Sequence, residues 1–112
     1  MPREAFQTLS EPMYYVLLAL TEKQRGVDII NRVSEISGGR VMVGPGTVYA
    51  MLDKFVQHKV IGETACAGRM RSYRITAHGM SLLKAEYERS QILYNDGRKI
   101  LEKFVESGEI RI

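Results

Sequence analysis

Residues 77–106 carry a pattern that a small domain cannot satisfy alone. Met80, Leu83, Tyr87, Ser90, Tyr94, Gly97, Leu101 and Phe104 follow one another at spacings of 3, 4, 3, 4, 3, 4 and 3. Such spacing draws one heptad seam along a helix for more than three repeats. Leu93 and Ile100, each one position before a seam residue, widen the stripe. Thr76 stands in front of it as an N-cap. Asn95-Asp96-Gly97 is a turn-forming triplet, yet the heptad phase runs through it, which predicts an unbroken or merely kinked helix. A helix this long needs a partner for its stripe, and a second copy of the chain is the simplest one.

The other 78 residues make one compact domain, so the chain divides into residues 1–78 and a C-terminal dimerisation helix, 79–112. Apolar residues form 45% of the 112-residue chain and charged residues 26%, which marks a soluble globular protein. The longest apolar run, Met13 to Leu20, falls short of the roughly 18–20 residues that cross a bilayer. Arg3 and Glu4 precede no apolar signal core, so a cytoplasmic protein is expected. A single cysteine, Cys66, allows no intrachain disulfide. His58, Cys66 and His78 show no ligand spacing, so neither a metal nor another cofactor is expected.

Within residues 1–78, three helical segments precede a hairpin. Ser10 and Pro12 start the first, over 10–21, with Met13, Val16, Leu17 and Leu20 inward. Residues 22–26 read as a short polar connection. A second helix runs from about Val27 to Ser37, with Ile29, Ile30, Val33 and Ile36 inward, and Gly38-Gly39 ends it. After an extended link at Arg40–Val43, Pro45 opens a third helix over residues 44–58, whose inner face is Val48, Leu52 and Phe55. The period then changes to 2. Tyr73 and Ile75 alternate with Ser72, Arg74 and Thr76 as a half-buried strand would. Its partner is Ile61 to Cys66, and Ala67-Gly68-Arg69-Met70 is the turn. The expected fold is mainly α with a small β-hairpin: a winged helix-turn-helix plus a long C-terminal helix.

The outer face of the third helix suits a DNA major groove. Gly46 and Thr47 stand at its amino end, where free backbone N–H groups meet phosphate. Thr47 and Ala50 are small enough to approach base edges and to touch a thymine methyl. Lys54 lies two turns on, within reach of the backbone. Tyr49 falls between the faces, so packing against the first helices and a hydroxyl bond to phosphate both stay open. Arg69 and Arg71 flank the hairpin tip, as a wing on the minor groove requires. Net charge is only +3, but it is placed unevenly: residues 1–78 hold 10 Lys/Arg against 7 Asp/Glu, and residues 79–112 hold 6 of each. A local basic patch is what nucleic-acid binding asks for.

Other readings exist. The same winged helix serves protein–protein interaction in some settings, and the modest charge fits that. The seam tyrosines, Tyr87 and Tyr94, with Tyr14 on the first helix, could line a site for a flat aromatic effector between helices; Leu83, Leu101 and Phe104 would then share dimer packing with that site. No nucleophile–base pair, catalytic carboxylate pair or phosphate loop points to an enzyme.

The order of these motifs resembles the PadR family of bacterial transcriptional regulators. The resemblance spans roughly residues 9–90. It is carried by Leu9-Ser10-Glu11-Pro12-Met13-Tyr14-Tyr15, Gly26-Val27-Asp28-Ile29-Ile30, Gly44-Pro45-Gly46-Thr47-Val48-Tyr49, and Arg71-Ser72-Tyr73-Arg74-Ile75-Thr76-Ala77-His78-Gly79. It implies a homodimeric winged-helix repressor joined through the C-terminal helix and parts of the first, with Thr47 and Tyr49 facing DNA and the wing arginines beside them. The chain departs from the family pattern twice. Arg25-Gly26-Val27 replaces a frequent His-Gly-Tyr, and His58-Lys59-Val60-Ile61 replaces a usual Glu-Gly-Leu-Ile. The missing glycine bears on how the third helix ends.

Overall fold

Pro, Gly and Thr punctuate the chain at the points where its helices begin and end. The computed structural model describes residues 8–65 and 71–108. Its elements are α1 (Glu11–Ala19), β1 (Gln24–Arg25), α2 (Gly26–Ser37), α3 (Pro45–Gln57), β2 (Ile61–Ala65), β3 (Arg71–Ile75) and α4 (Ala77–Glu106). Ser10 caps α1 by accepting from the Met13 N–H at 3.4 Å. Gly38 closes α2 with φ 63°, a conformation glycine adopts without a Cβ penalty.

Two local expectations need correction. Residues 22–26 do not form a plain connection, because Gln24–Arg25 is an edge strand, and the sheet runs β1-β3-β2, antiparallel throughout. Two residues are too few to show a period in sequence. Ser72 was expected on the polar side of its strand, yet it is buried. It stands opposite both Arg25 and Thr64 in the register, so the added strand covers it.

The core joins Val16, Leu17 and Leu20 of α1 to Ile29 and Val33 of α2, and to Val48, Leu52 and Phe55 of α3. Val60, Ile61 and Tyr73 close it from the sheet side. The three α3 side chains have no exposed surface, and each such burial stabilises by roughly 1.5–3 kcal/mol. They hold α3 firmly by one face, which leaves its other face free for function.

α3 ends in a Schellman arrangement. The Lys59 N–H donates to Val56 O at 3.0 Å and the Val60 N–H to Phe55 O at 2.8 Å. The left-handed residue is Lys59, at φ 60°. A lysine therefore holds a conformation that glycine adopts more readily, at a steric cost of about 1–2 kcal/mol.

The next contact fixes α4. The Thr76 N–H donates to Val60 O at 3.1 Å. The Thr76 hydroxyl lies 2.7 Å from Lys59 O and 2.9 Å from Val60 O, and it accepts the Gly79 N–H at 3.0 Å. A Cβ on Gly79 would lie 2.0 Å from Val60 O, so only glycine lets the helix sit this close.

α4 is a continuous helix of 30 residues through Asn95-Asp96-Gly97, about 45 Å long. Its buried positions, Gly79, Leu83 and Glu86, form an inward stripe that shares Leu83 with the expected seam. Leu83, expected at a dimer seam, is correspondingly buried in the chain's own core, because the first turns of α4 pack on the domain.

The Lys59→Gly variant is expected to be more stable by about 1 kcal/mol, since it removes the left-handed strain while adding some unfolded-state entropy. Chemical denaturation measures this directly. Gly79→Ala is expected to cost about 3 kcal/mol or more, because a backbone carbonyl cannot move aside as a side chain can.

Candidate nucleic-acid interface

The N-terminus of α3 is uncapped by any side chain. Gly44 is its N-cap residue and Pro45 occupies the first turn. The first amides of a helix have no partner within it, and they carry its positive dipole end. Gly46 and Thr47 stand there, both exposed. A Cβ on Gly46 would meet nothing within 4 Å, so the chain's own packing does not demand glycine at that position. Thr47, Ala50 and Lys54 are also exposed. Val48, Leu52 and Phe55 point the opposite way into the core.

Tyr49 is placed between these faces, as its position in the sequence requires. Its ring lies over the first residue of α2: a Cβ on Gly26 would be 3.1 Å from Tyr49 Cε1 and 3.2 Å from its hydroxyl oxygen. Yet Tyr49 remains 43% exposed. The packing role is thus realised, and surface remains for a second one.

The hairpin lies beside this helix. Its register pairs Glu63 with Tyr73 and Ala65 with Arg71, and paired and alternate residues share a face. Ile61, Glu63, Arg71, Tyr73 and Ile75 therefore line one face of the sheet. Arg71 forms an ion pair with Glu63 at 2.5 Å. The Tyr73 hydroxyl is harder to ionise than usual, first through burial, then through the negative charge of Glu63. Arg71 works against that shift, while Asp53 and Tyr49 of α3 add to it. Tyr73 and Ile61 of the hairpin are buried in one cluster with Val48, Leu52 and Phe55 of α3. Arg69, Cys66 and the hairpin turn lie outside the described residues.

The second expected site is divided. Tyr14 is half-buried and its hydroxyl is harder to ionise than usual, chiefly through burial, with Tyr15, Tyr87 and Glu86 contributing. It lines a cleft of about 450 Å³ between α1 and α4, together with Leu9, Glu11, Tyr15, Arg40, Glu86, Arg89 and Ser90. Tyr14 and Tyr15 meet edge to face, with ring centres 5.8 Å apart. Arg40 lies over the Tyr15 ring and pairs with Glu11 at 2.7 Å. Tyr94 and Leu101 instead line a shallow groove farther along α4, with Leu93, Gly97 and Val105. Tyr87, Tyr94, Leu101 and Phe104 are all exposed large side chains.

Sequence reasoning missed Glu63, Asp53 and Glu86. The first two need the hairpin register before their neighbours are known. Glu86 follows Gly79 and Leu83 at helical spacing, which was the available signal for an inward position. It is 6% exposed. Arg89 donates to it at 2.6 Å, and this bond, with the Leu9 backbone N–H, holds its carboxyl below the usual carboxylate range despite burial.

An exposed helix face held from behind by a buried one, with a basic hairpin at its side and a long helix after it, defines a winged-helix DNA-binding regulator. The chain belongs to the PadR-like family of transcriptional regulators, whose family model matches residues 16–85. The family is one of regulators, not enzymes. Solved structures share the fold. RosR of H. salinarum is 22% identical with a TM-score of 0.66, over 89% of this chain and 93% of its own. A transcriptional regulator from Clostridium thermocellum is 19% identical with a TM-score of 0.65, over 88% of this chain and 99% of its own. Lactococcus lactis ZitR, a zinc-responsive MarR family member, is 17% identical with a TM-score of 0.58, over 99% and 83%. No curated protein matches the sequence. No helix among the described residues is long and apolar enough to cross a membrane.

Glu86 makes a stability prediction with a definite sign. A depressed folded-state pKa stabilises above the unfolded value and loses that contribution as pH falls through the folded one. Glu86→Gln is expected to be less stable than the native chain by about 1 kcal/mol at neutral pH. That gap should close below pH ~4, as followed by denaturant titrations across pH.

Proposed function

We propose that the protein is a cytoplasmic, homodimeric repressor that reads an inverted-repeat operator and is released by a small ligand. Residues 1–78 bind DNA and residues 79–112 join two copies. The observation that carries this reading is the exposed outer face of α3, with an uncapped amino end, above three fully buried anchors. Gly46 and Thr47 meet phosphate, Thr47 and Ala50 approach base edges, and Lys54 contacts the backbone. Tyr49 adds a hydroxyl contact to the phosphate backbone from its place over Gly26. Arg69 and Arg71 bring the wing to the adjacent groove.

The dimer reading rests on the outer surface of α4. Tyr94 is 67% exposed and Leu101 is 51% exposed, and Tyr87, Leu93, Ile100 and Phe104 continue the stripe. A contiguous apolar surface of this kind marks an interaction site, and the heptad spacing fits another helix. Two α3 helices related by a twofold axis would read half-sites about one or more helical turns apart.

The effector reading rests on the cleft between α1 and α4. A ligand seated there would touch Tyr14 on one side and the base of the dimerisation helix on the other. Release would follow if it favoured a different spacing of the two α3 helices.

Arg69→Ala is expected to weaken binding to every duplex sequence alike and to lower the salt slope by ~1. Replacements at Thr47 or Ala50 should instead change sequence preference. Gel-shift titrations over a salt series separate these outcomes; no binding to duplex DNA at low salt would overturn the reading. Leu101→Asp is expected to convert a dimer to monomers by sedimentation and to lose tight DNA binding with it.

A further inference from the structure

We propose that Glu63 is a positioning residue for the wing: its carboxylate holds Arg71 in place and must release it for DNA phosphate. The proposal rests on the DNA-binding reading above. Its starting point is geometric. Glu63 on β2 and Arg71 on β3 are diagonal neighbours on one face of the hairpin, and their side chains meet at 2.5 Å. The two are unequally exposed. The Glu63 side chain is 28% accessible, tucked beside Tyr73, whereas that of Arg71 is 64% accessible. The carboxylate is thus the fixed member of the pair and the guanidinium the outward one.

This face is also the one that borders α3, because its Ile61 and Tyr73 are buried in one cluster with Val48, Leu52 and Phe55. Arg71 stands at the exposed outer end of that face, and on the DNA-binding reading it meets the same nucleic acid as Thr47 and Ala50. A carboxylate in that position has two effects. It repels phosphate directly, and it competes with phosphate for Arg71. An exposed pair of this kind is worth no more than about fivefold in an equilibrium constant, so DNA can displace it. The wing then adds less indiscriminate attraction than a free arginine would, in keeping with a net charge of only +3.

The test uses the full-length chain and a short duplex of random sequence. Native protein, E63Q, E63D, R71A and the double variant E63Q/R71A are titrated over a salt series. E63Q should tighten binding by about three- to fivefold and steepen the salt slope by about 1. E63D keeps the charge but shortens the reach, and it should also tighten binding, because Arg71 is released. In the R71A background the Glu63→Gln change should shift affinity by less than about twofold. Melting curves should show all variants folded, since the pair is on the surface.

An equal gain from Glu63→Gln with and without Arg71, or E63D indistinguishable from native, would show that Glu63 acts only as a bulk charge and would overturn the proposal. So would unchanged binding by E63Q when R71A weakens it. If R71A itself leaves binding unchanged, the reading of Arg71 as a DNA contact fails, a separate result.

Discussion

The junction of Thr76, Gly79 and Val60 sets the position of everything that follows α3. One carbonyl, Val60 O, receives the Thr76 N–H and lies under the first turn of α4. The Thr76 hydroxyl also reaches the carbonyl of Lys59, the left-handed residue that closes α3. The end of α3, the start of β2 and the start of α4 are therefore tied together at one point. A rotation of α4 about this point would carry over to α3 with little slack, because no side chain intervenes at Gly79. That is the mechanical link a ligand near α4 needs if it is to alter DNA binding.

Electrostatics bear on how strongly residues 1–78 can attract an anionic partner. The basic excess in residues 1–78 is small, and Arg25, Arg40 and Arg71 each have a carboxylate partner. Surface pairs of this kind add little stability, but each sets a carboxylate in competition with phosphate for its cation. On the proposed reading the face relies instead on the amide groups at the start of α3, on small side chains and on a limited number of cations. Affinity from such a surface comes from correct placement more than from total charge.

Much of this architecture was legible in the sequence. Thr76 and the heptads marked α4, Gly38 marked the end of α2, and Val48, Leu52 and Phe55 marked the inner side of α3. Each of these signals is local, so composition and spacing were enough. The missed features depend on contacts between distant segments. β1 exists only because β3 has an open edge for Gln24 and Arg25. Ser72 is buried for the same reason. Leu83 fits both a seam and a core, and only the packing of α4 on the domain assigns it. Lys59 takes a glycine's conformation because the Schellman bonds and the Thr76 contact outweigh its strain. The Glu63–Arg71 pair needed the hairpin register, which the sequence of the turn does not define by itself.

The central claim is that two copies of α3 read DNA as a symmetric pair. Selection of bound sequences from random duplex DNA by the full-length chain tests it most directly. Enrichment of an inverted repeat, with half-sites separated by one or more helical turns, is the predicted result. Recovery of an unpaired half-site, or of no enriched sequence, would contradict it.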